Sequence, residues 1–386
     1  MTTPDVLIIG AGITGVSAAL ELIEAGASVE VIDRHGPAAM ASGWTLAGVR
    51  QSGRDPAELS LAQAAVALWK ELDDRLDART GYWQSGNMRL ARNPAEADCI
   101  RALVAEQTTA GLSLDLLEDL ADMRAVVPGL SDIVELASWC PSDGQADPIA
   151  TVTAYVNKAK QLGARFCNGE AALELTAKGN RIDHVVTRTR IISPGMIVLA
   201  AGLEINRLLG PLGHAIPLVR PLVTVLRSAP CTPVLGPVLG VANADMAARQ
   251  ESSGRLRVTG GAREWQGEIS ERDGKPVIHP PAKCVLDTIT KVSAVLPAFA
   301  EAEIESIWGG ALDLTPDALP VIDRVPEFEN LVIAAGFSGH GFGIGPVTGQ
   351  LAADLALKET PRHALDSFRF GRFTSQTKQA PLTLHG

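Results

Sequence analysis

The chain has 386 residues, enough for two packed units, and its 46% hydrophobic and 20% charged content is that of a globular protein, excluding a disordered or fibrous one. With 34 basic against 44 acidic side chains, the net charge of −10 argues against a nucleic-acid partner, which needs a basic face. Five scattered cysteines (Cys99, Cys140, Cys167, Cys231, Cys284) show no C-x-x-C spacing, so no metal site or disulfide framework is expected and a cytoplasmic setting is.

The first apolar run, VLIIGAGITG, follows Asp5 without a basic flank and reads as a buried strand over 5–9, not a signal peptide. Helical spacing runs from Val16 to Gly26, and Ser28 to Asp33 (SVEVID) is a second strand. Asp55-Pro56 and Asp147-Pro148 pair a capping carboxylate with a proline suited to the first helical position. They predict helices through Arg75 and through about Leu162. A strand-rich stretch ends in MIVLAAG at 196–202, and residues 217–310 read as antiparallel sheet. NLVIAAG at 330–336 is a strand, followed by a glycine-rich turn and a helix from Pro346 to Lys358. The polar tail, 376–386, is expected to be mobile. No run approaches the roughly 20 apolar residues of a membrane span. Strand–glycine–helix units at both ends predict a discontinuous doubly wound domain with a second domain inserted.

The sharpest motif is Gly10-Ala11-Gly12-Ile13-Thr14-Gly15 between a strand and a helix. Its first glycine permits the turn, the second admits a pyrophosphate to the backbone, and the third lets helix and sheet approach. The helix N-terminus offers unpaired N–H groups to the phosphates, and Asp33 stands where a carboxylate can take ribose hydroxyls. Both FAD and NAD use this unit. The buried strand ending Ala200-Ala201-Gly202 and the loop Gly336-Phe337-Ser338-Gly339-His340-Gly341-Phe342-Gly343 favour FAD. The loop places backbone donors where a flavin gains negative charge on reduction.

On these residues the chain resembles the glycine oxidase, sarcosine oxidase and D-amino-acid dehydrogenase branch of the D-amino-acid-oxidase-like superfamily. Further anchors are Ser42-Gly43, Gly48-Val49-Arg50, the Asp147-Pro148 helix, WGGALDLTPDALPVID (308–323) and NLVIAAGFSGHGF (330–342). The resemblance implies an α/β protein with a Rossmann-like FAD-binding domain (1–85, 145–220 and 305–375) and an inserted α+β substrate domain (86–144 and 221–304) built on an antiparallel sheet. It implies FAD-dependent oxidation of the C–N bond of a small amine or amino acid: a secondary amine, a D-amino acid or an opine-like N-substituted amino acid. A 2-hydroxy acid dehydrogenase, or the flavin subunit of a sarcosine- or opine-oxidase-like complex, is the alternative, and homo- or hetero-oligomers both stay open. Some relatives attach FAD through a cysteine near the start of the 308–323 segment; Gly309 and Gly310 stand there, so noncovalent FAD is expected. Others carry a substrate-holding lysine where this chain has Gly343.

The residues expected along the cofactor are Gly10, Gly12, Ile13, Thr14, Gly15, Asp33, Arg34, Ser42, Ala172, Ala201, Gly202, Gly310, Gly336, Gly339, His340, Gly341, Phe342, Gly343 and Ile344. A substrate carboxylate calls for an arginine. Arg50 is the first candidate, with Arg54, Arg257 and Arg263 behind it, and His340 is expected to tune the flavin or the amine. Trp44, Trp83, Trp265 and Trp308 are candidates for the pocket wall, and Asp317 reads as a cap or turn residue.

Overall fold

A computed structural model of the chain describes residues 3–373; the expected tail, 376–386, lies outside the described residues. A six-stranded sheet is ordered Val321–Arg324, Leu331–Ala335, Met196–Leu199, Val6–Ile9, Val29–Asp33, Arg165–Asn168. All neighbours are parallel except the first pair. Its central strands are apolar throughout because both faces are covered. Ile8, Val31, Val198 and Val332 point to helices Ile13–Glu24, Pro148–Gln161 and Gly341–Ala356. Their neighbours Leu7, Ile32, Ile197 and Ile333 point to a second layer holding Leu175, Val185 and Leu208.

The two Asp-Pro signals form as expected. Asp55 accepts from Ala57 N at 2.8 Å, and Asp147 accepts from Ile149 N and Ala150 N at 2.9 Å. The helix that begins at Pro56 stops at Trp69, short of Arg75. Lys70 N and Glu71 N bond three residues back, tightening the turn, and a separate helix runs Leu72–Leu76. The last helix starts at Gly341, five residues before Pro346. Packing against the first helix sustains a glycine-rich opening turn that propensity alone disfavours.

The second sheet has eight strands, ordered Ile304–Ala311, Leu222–Pro230, Arg255–Gly260, Met246–Gln250, Val238–Val241, Asn87–Ala91, Leu136–Cys140, Asp115–Leu117. It is antiparallel except where Val238–Val241 runs parallel to Asn87–Ala91, the seam where its two chain segments meet. One face packs on a helix, Ala282–Val295, that lies inside the stretch expected to be sheet. Strand Ile304–Ala311 pairs antiparallel with Leu222–Pro230 and forms one edge of this sheet.

Candidate active site

The helices Ile13–Glu24 and Gly341–Ala356 lie against each other along glycines. A Cβ at Gly345 would stand 2.5 Å from Ile13, and one at Gly349 2.4 Å from Ser17. Thr14 Oγ1 meets Thr348 Oγ1 at 3.1 Å, and Ser17 Oγ donates to Pro346 O at 2.9 Å. The two glycine-rich turns, more than 300 residues apart in sequence, therefore open onto one cavity of about 670 Å³. That volume lies within the usual range for small-molecule sites.

At one end, Gly10 has φ +114° and its hypothetical Cβ would sit 2.2 Å from Ala200 O. No side chain of its own caps the first helix at Gly12, and Ile13 N donates to Ser42 Oγ at 3.0 Å. Asp33 accepts from Ala11 N (2.8 Å), His35 N (2.8 Å) and Gly36 N (2.7 Å), pinning the glycine turn to the second strand. A carboxylate has about four acceptor positions, so one stays available to a ligand hydroxyl. Arg34 pairs with Glu204 at 2.8 Å on the cavity rim.

At the other end, no side chain caps the last helix, and its first residues, Gly341 to Gly343, line the cavity. Trp69 Nε1 donates to Gly343 O at 2.6 Å and Phe342 packs on the Trp69 ring, fixing that turn. These uncapped helix termini and the side-chain-free cradle fit a dinucleotide with a pyrophosphate at one end and an anion-stabilised ring at the other. No cysteine lines the cavity among the described residues.

Of the expected cofactor set, Gly336 and Ile344 do not line the cavity. Gly336 turns to Thr315, whose Cγ2 would be 2.5 Å from its Cβ, and its N–H donates to Asp313 at 2.9 Å. Ile344 is fully buried, carried by helical periodicity into the core between the helices. The other expected positions, Ala172, Ala201, Gly202, Gly310 and Gly339 included, line the cavity. At Gly343 a Cβ would approach Gly48 O to 3.0 Å, because strand Gly48–Val49 runs where a lysine would leave the helix.

Beyond that terminus lies a buried charge cluster. Arg50 and Arg54 line the cavity; Arg54 is 4% exposed, and Arg50 is half-buried with no hydrogen bond or ion pair on its guanidinium among the described residues. Burial, then the neighbouring Arg54 and Arg89, push the Arg50 pKa well below its usual value. Arg89 is pushed down to about 10 by burial and Arg54. Asp143, fully buried, accepts from Gln51 N at 2.9 Å, from Ser52 N at 3.2 Å and from Ser52 Oγ. Glu58, 1% exposed, stands 2.9 Å from His340 Nε2. Burial, the largest effect, outweighs the attraction of Glu58 and, with repulsion from Arg54, lowers the His340 pKa from its ordinary value. Three arginines against two carboxylates leave the cluster one positive charge in excess, beside a cavity that can supply the balancing anion.

Glu58, Arg89 and Asp143 escaped the sequence reading. Glu58 reads as an acid favouring a helix N-terminus, and Asp143-Gly144 reads as a turn, so their signals pointed to local structure. Arg257 and Arg263 do not line the cavity: Arg257 pairs with Glu251 at 2.7 Å and Arg263 with Asp287 at 2.7 Å. Trp44 and Trp265 line it, whereas Trp83 is exposed and Trp308 packs over Arg257. Asp317 binds Leu319 N and Arg372, a turn role. Among the described residues Glu30, Cys167 and Glu170 alone converge closely enough for a metal ion, and Arg190 already bonds all three.

A family model described as FAD dependent oxidoreductase matches residues 5–355. The bifunctional protein ThiO/ThiG of Trichormus variabilis is 28% identical over 390 residues, covering 99% of this chain and 57% of that one. A D-amino acid dehydrogenase of Rhizorhabdus wittichii is 26% identical, covering 91% of this chain and 95% of that one. The chain thus spans little more than half the length of the ThiO/ThiG relatives and nearly all of the dehydrogenase. Among solved structures, L-proline dehydrogenase from P. horikoshii superposes with a TM-score of 0.86 at 26% identity, covering 96% of this chain and 98% of that one. Glycine oxidase from Geobacillus kaustophilus gives 0.87 at 22% identity, covering 97% and 100%, a likeness of fold. No helix among the described residues is long and apolar enough to cross a membrane.

Proposed function

The chain belongs to the family of FAD-dependent oxidoreductases, and on that premise we propose that it oxidises the C–N bond of a small amino acid, free or N-substituted, whose carboxylate is held by Arg50. The observation that carries this reading is the Arg50 guanidinium itself, which lines the cavity with no carboxylate at ion-pair distance among the described residues, in a cluster where arginines outnumber the acids Asp143 and Glu58. Such a group gains a charge-assisted, bidentate partner only when a carboxylate arrives. The relatives named for amino acids as substrates support the amine side of the reading.

Bound FAD supplies the acceptor for a hydride from the carbon next to nitrogen, and the imine so formed hydrolyses in water to a carbonyl compound and an amine. The chain's own residues orient and desolvate. Ile13 to Gly15 would hold the pyrophosphate at the first helix terminus, and Gly341 to Gly343 would offer N–H groups to negative charge on the ring. Arg50 fixes the carboxylate and so the direction of the α C–H bond. Glu58 fixes the His340 ring at the cavity wall.

Anaerobic mixing of the yellow protein with matched pairs, each amino acid beside the amine lacking its carboxylate, tests this. Bleaching by members bearing the carboxylate, at least tenfold faster than by their partners, is the expected result. Bleaching by 2-hydroxy acids alone would move the chemistry to C–O oxidation, and equal rates within pairs would remove Arg50 from substrate binding.

A further inference from the structure

The face of the large sheet that does not pack on helix Ala282–Val295 forms a wall of the cavity. Its register places four lining residues in one row across four neighbouring strands. Val225 pairs with Thr259, Thr259 with Ala247, and Ala247 with Gly240. Directly paired residues share a face, so the four side chains stand side by side. The next residue in the row is Arg89, paired with Gly240 and next to Arg54 in the charge cluster. Three strand spacings make a row about 14 Å long. Side-chain size falls along it, from valine through threonine and alanine to glycine, as it nears the arginines.

Nothing in the backbone requires the glycine. Gly240 does not have a positive φ, and a Cβ built there would meet no atom within 4 Å. Gly10, Gly15 and Gly349, by contrast, would each be blocked by backbone or side-chain atoms within 2.4 Å. The missing side chain at 240 leaves open volume on the cavity side, continuous with the space over Ala247 and walled further by Val223 and Val238. An apolar, ready-made recess beside a cationic anchor is the form of a side-chain specificity pocket.

We propose that this trough receives a bulky apolar group of the substrate, and that Gly240 and Ala247 set the size it accepts. The substrate class is then an amino acid carrying a large apolar side chain or N-substituent, in preference to glycine or sarcosine. This rests on the reading that Arg50 holds the carboxylate, since that anchor places the rest of the molecule over the small residues.

Binding of unreactive carboxylates to the FAD-loaded full chain, read from the flavin spectrum, separates this inference from the catalytic one. Each methylene buried in the trough strengthens binding by about fourfold. Phenylacetate is expected to bind at least about tenfold more tightly than acetate. Gly240→Val, and independently Ala247→Leu on the adjacent strand, are expected to bring that ratio close to one while FAD content and melting temperature stay at the parent values. Size preference in the parent and its collapse in both variants uphold the trough even if no amino acid reduces the flavin, which would sink only the proposed reaction. Equal binding of small and bulky acids by the parent, an unchanged ratio in both variants, or no carboxylate binding at all would overturn it.

Discussion

Arg50 and Gly10 show how differently a single residue can be constrained. Gly10 is fixed by space: its φ of +114° and the 2.2 Å approach of Ala200 O leave no room for a methyl group. Gly10→Ala is therefore expected to purify without flavin, read as the loss of the yellow absorbance per mole of protein; full flavin content would contradict the packing described. Arg50, in its proposed role, is constrained by charge. Removing a charge-assisted contact costs about 1.5–3 kcal/mol, so Arg50→Ala should lower kcat/KM for amino acids by about 10- to 150-fold. Flavin content should stay intact and amines without a carboxylate should be little affected. The first residue was legible because a glycine turn between strand and helix has one geometry. That Arg50 lines the cavity could be expected only with the family resemblance beside it, since a lone arginine in sequence gives no sign of where its guanidinium ends. Glu58 and Asp143 were illegible for the same reason: the partner of Glu58 comes from the far end of the chain, and those of Asp143 from a turn about 90 residues earlier that meets it only in the folded molecule.

At the scale of elements, the parallel strands, both Asp-Pro helix starts and both glycine turns could be read from local pattern. Helix Ala282–Val295 could not, because Val285, Thr288, Ile289, Thr290, Val292 and Val295 give it the β-branched composition of a strand. Its burial against the large sheet overrides that preference. The pairing of the first and last helices was equally hidden, since it depends on Gly345 and Gly349 meeting Ile13 and Ser17 across the fold. Forcing a methyl group into such a contact costs about 1–3 kcal/mol. Gly349→Ala should lower the melting temperature accordingly and weaken FAD binding by separating the two helix termini. A melting temperature at or above the parent's would show that the contact is looser than described.

At the scale of the whole molecule, both sheets contribute to the cavity, and polar ties hold the edges of its nucleotide end. Glu170, on the cavity rim, is paired with Arg190, which also binds Glu30 in the second strand. The hydrogen bond from Arg190 lowers the Glu170 pKa to about 2 from 4.5. A carboxylate lowered in this way stabilises the fold above about pH 4.5 and loses that contribution as pH falls through about 2. Glu170→Gln should then unfold more readily in denaturant at pH 7, by up to about 3 kcal/mol, and the gap to the parent should narrow as pH is lowered through that window. A gap independent of pH would assign the loss to packing instead.

In the proposed reading, one cavity grips FAD between two helix termini and holds the substrate carboxylate at the arginine cluster. A crystal structure of the chain with FAD and benzoate tests it most directly. The pyrophosphate is expected against the N–H groups of Ile13 to Gly15, the ring against Gly341 to Gly343, and the benzoate carboxylate hydrogen-bonded to Arg50. Benzoate bound away from Arg50, or FAD with only one of its ends in this cavity, would contradict it.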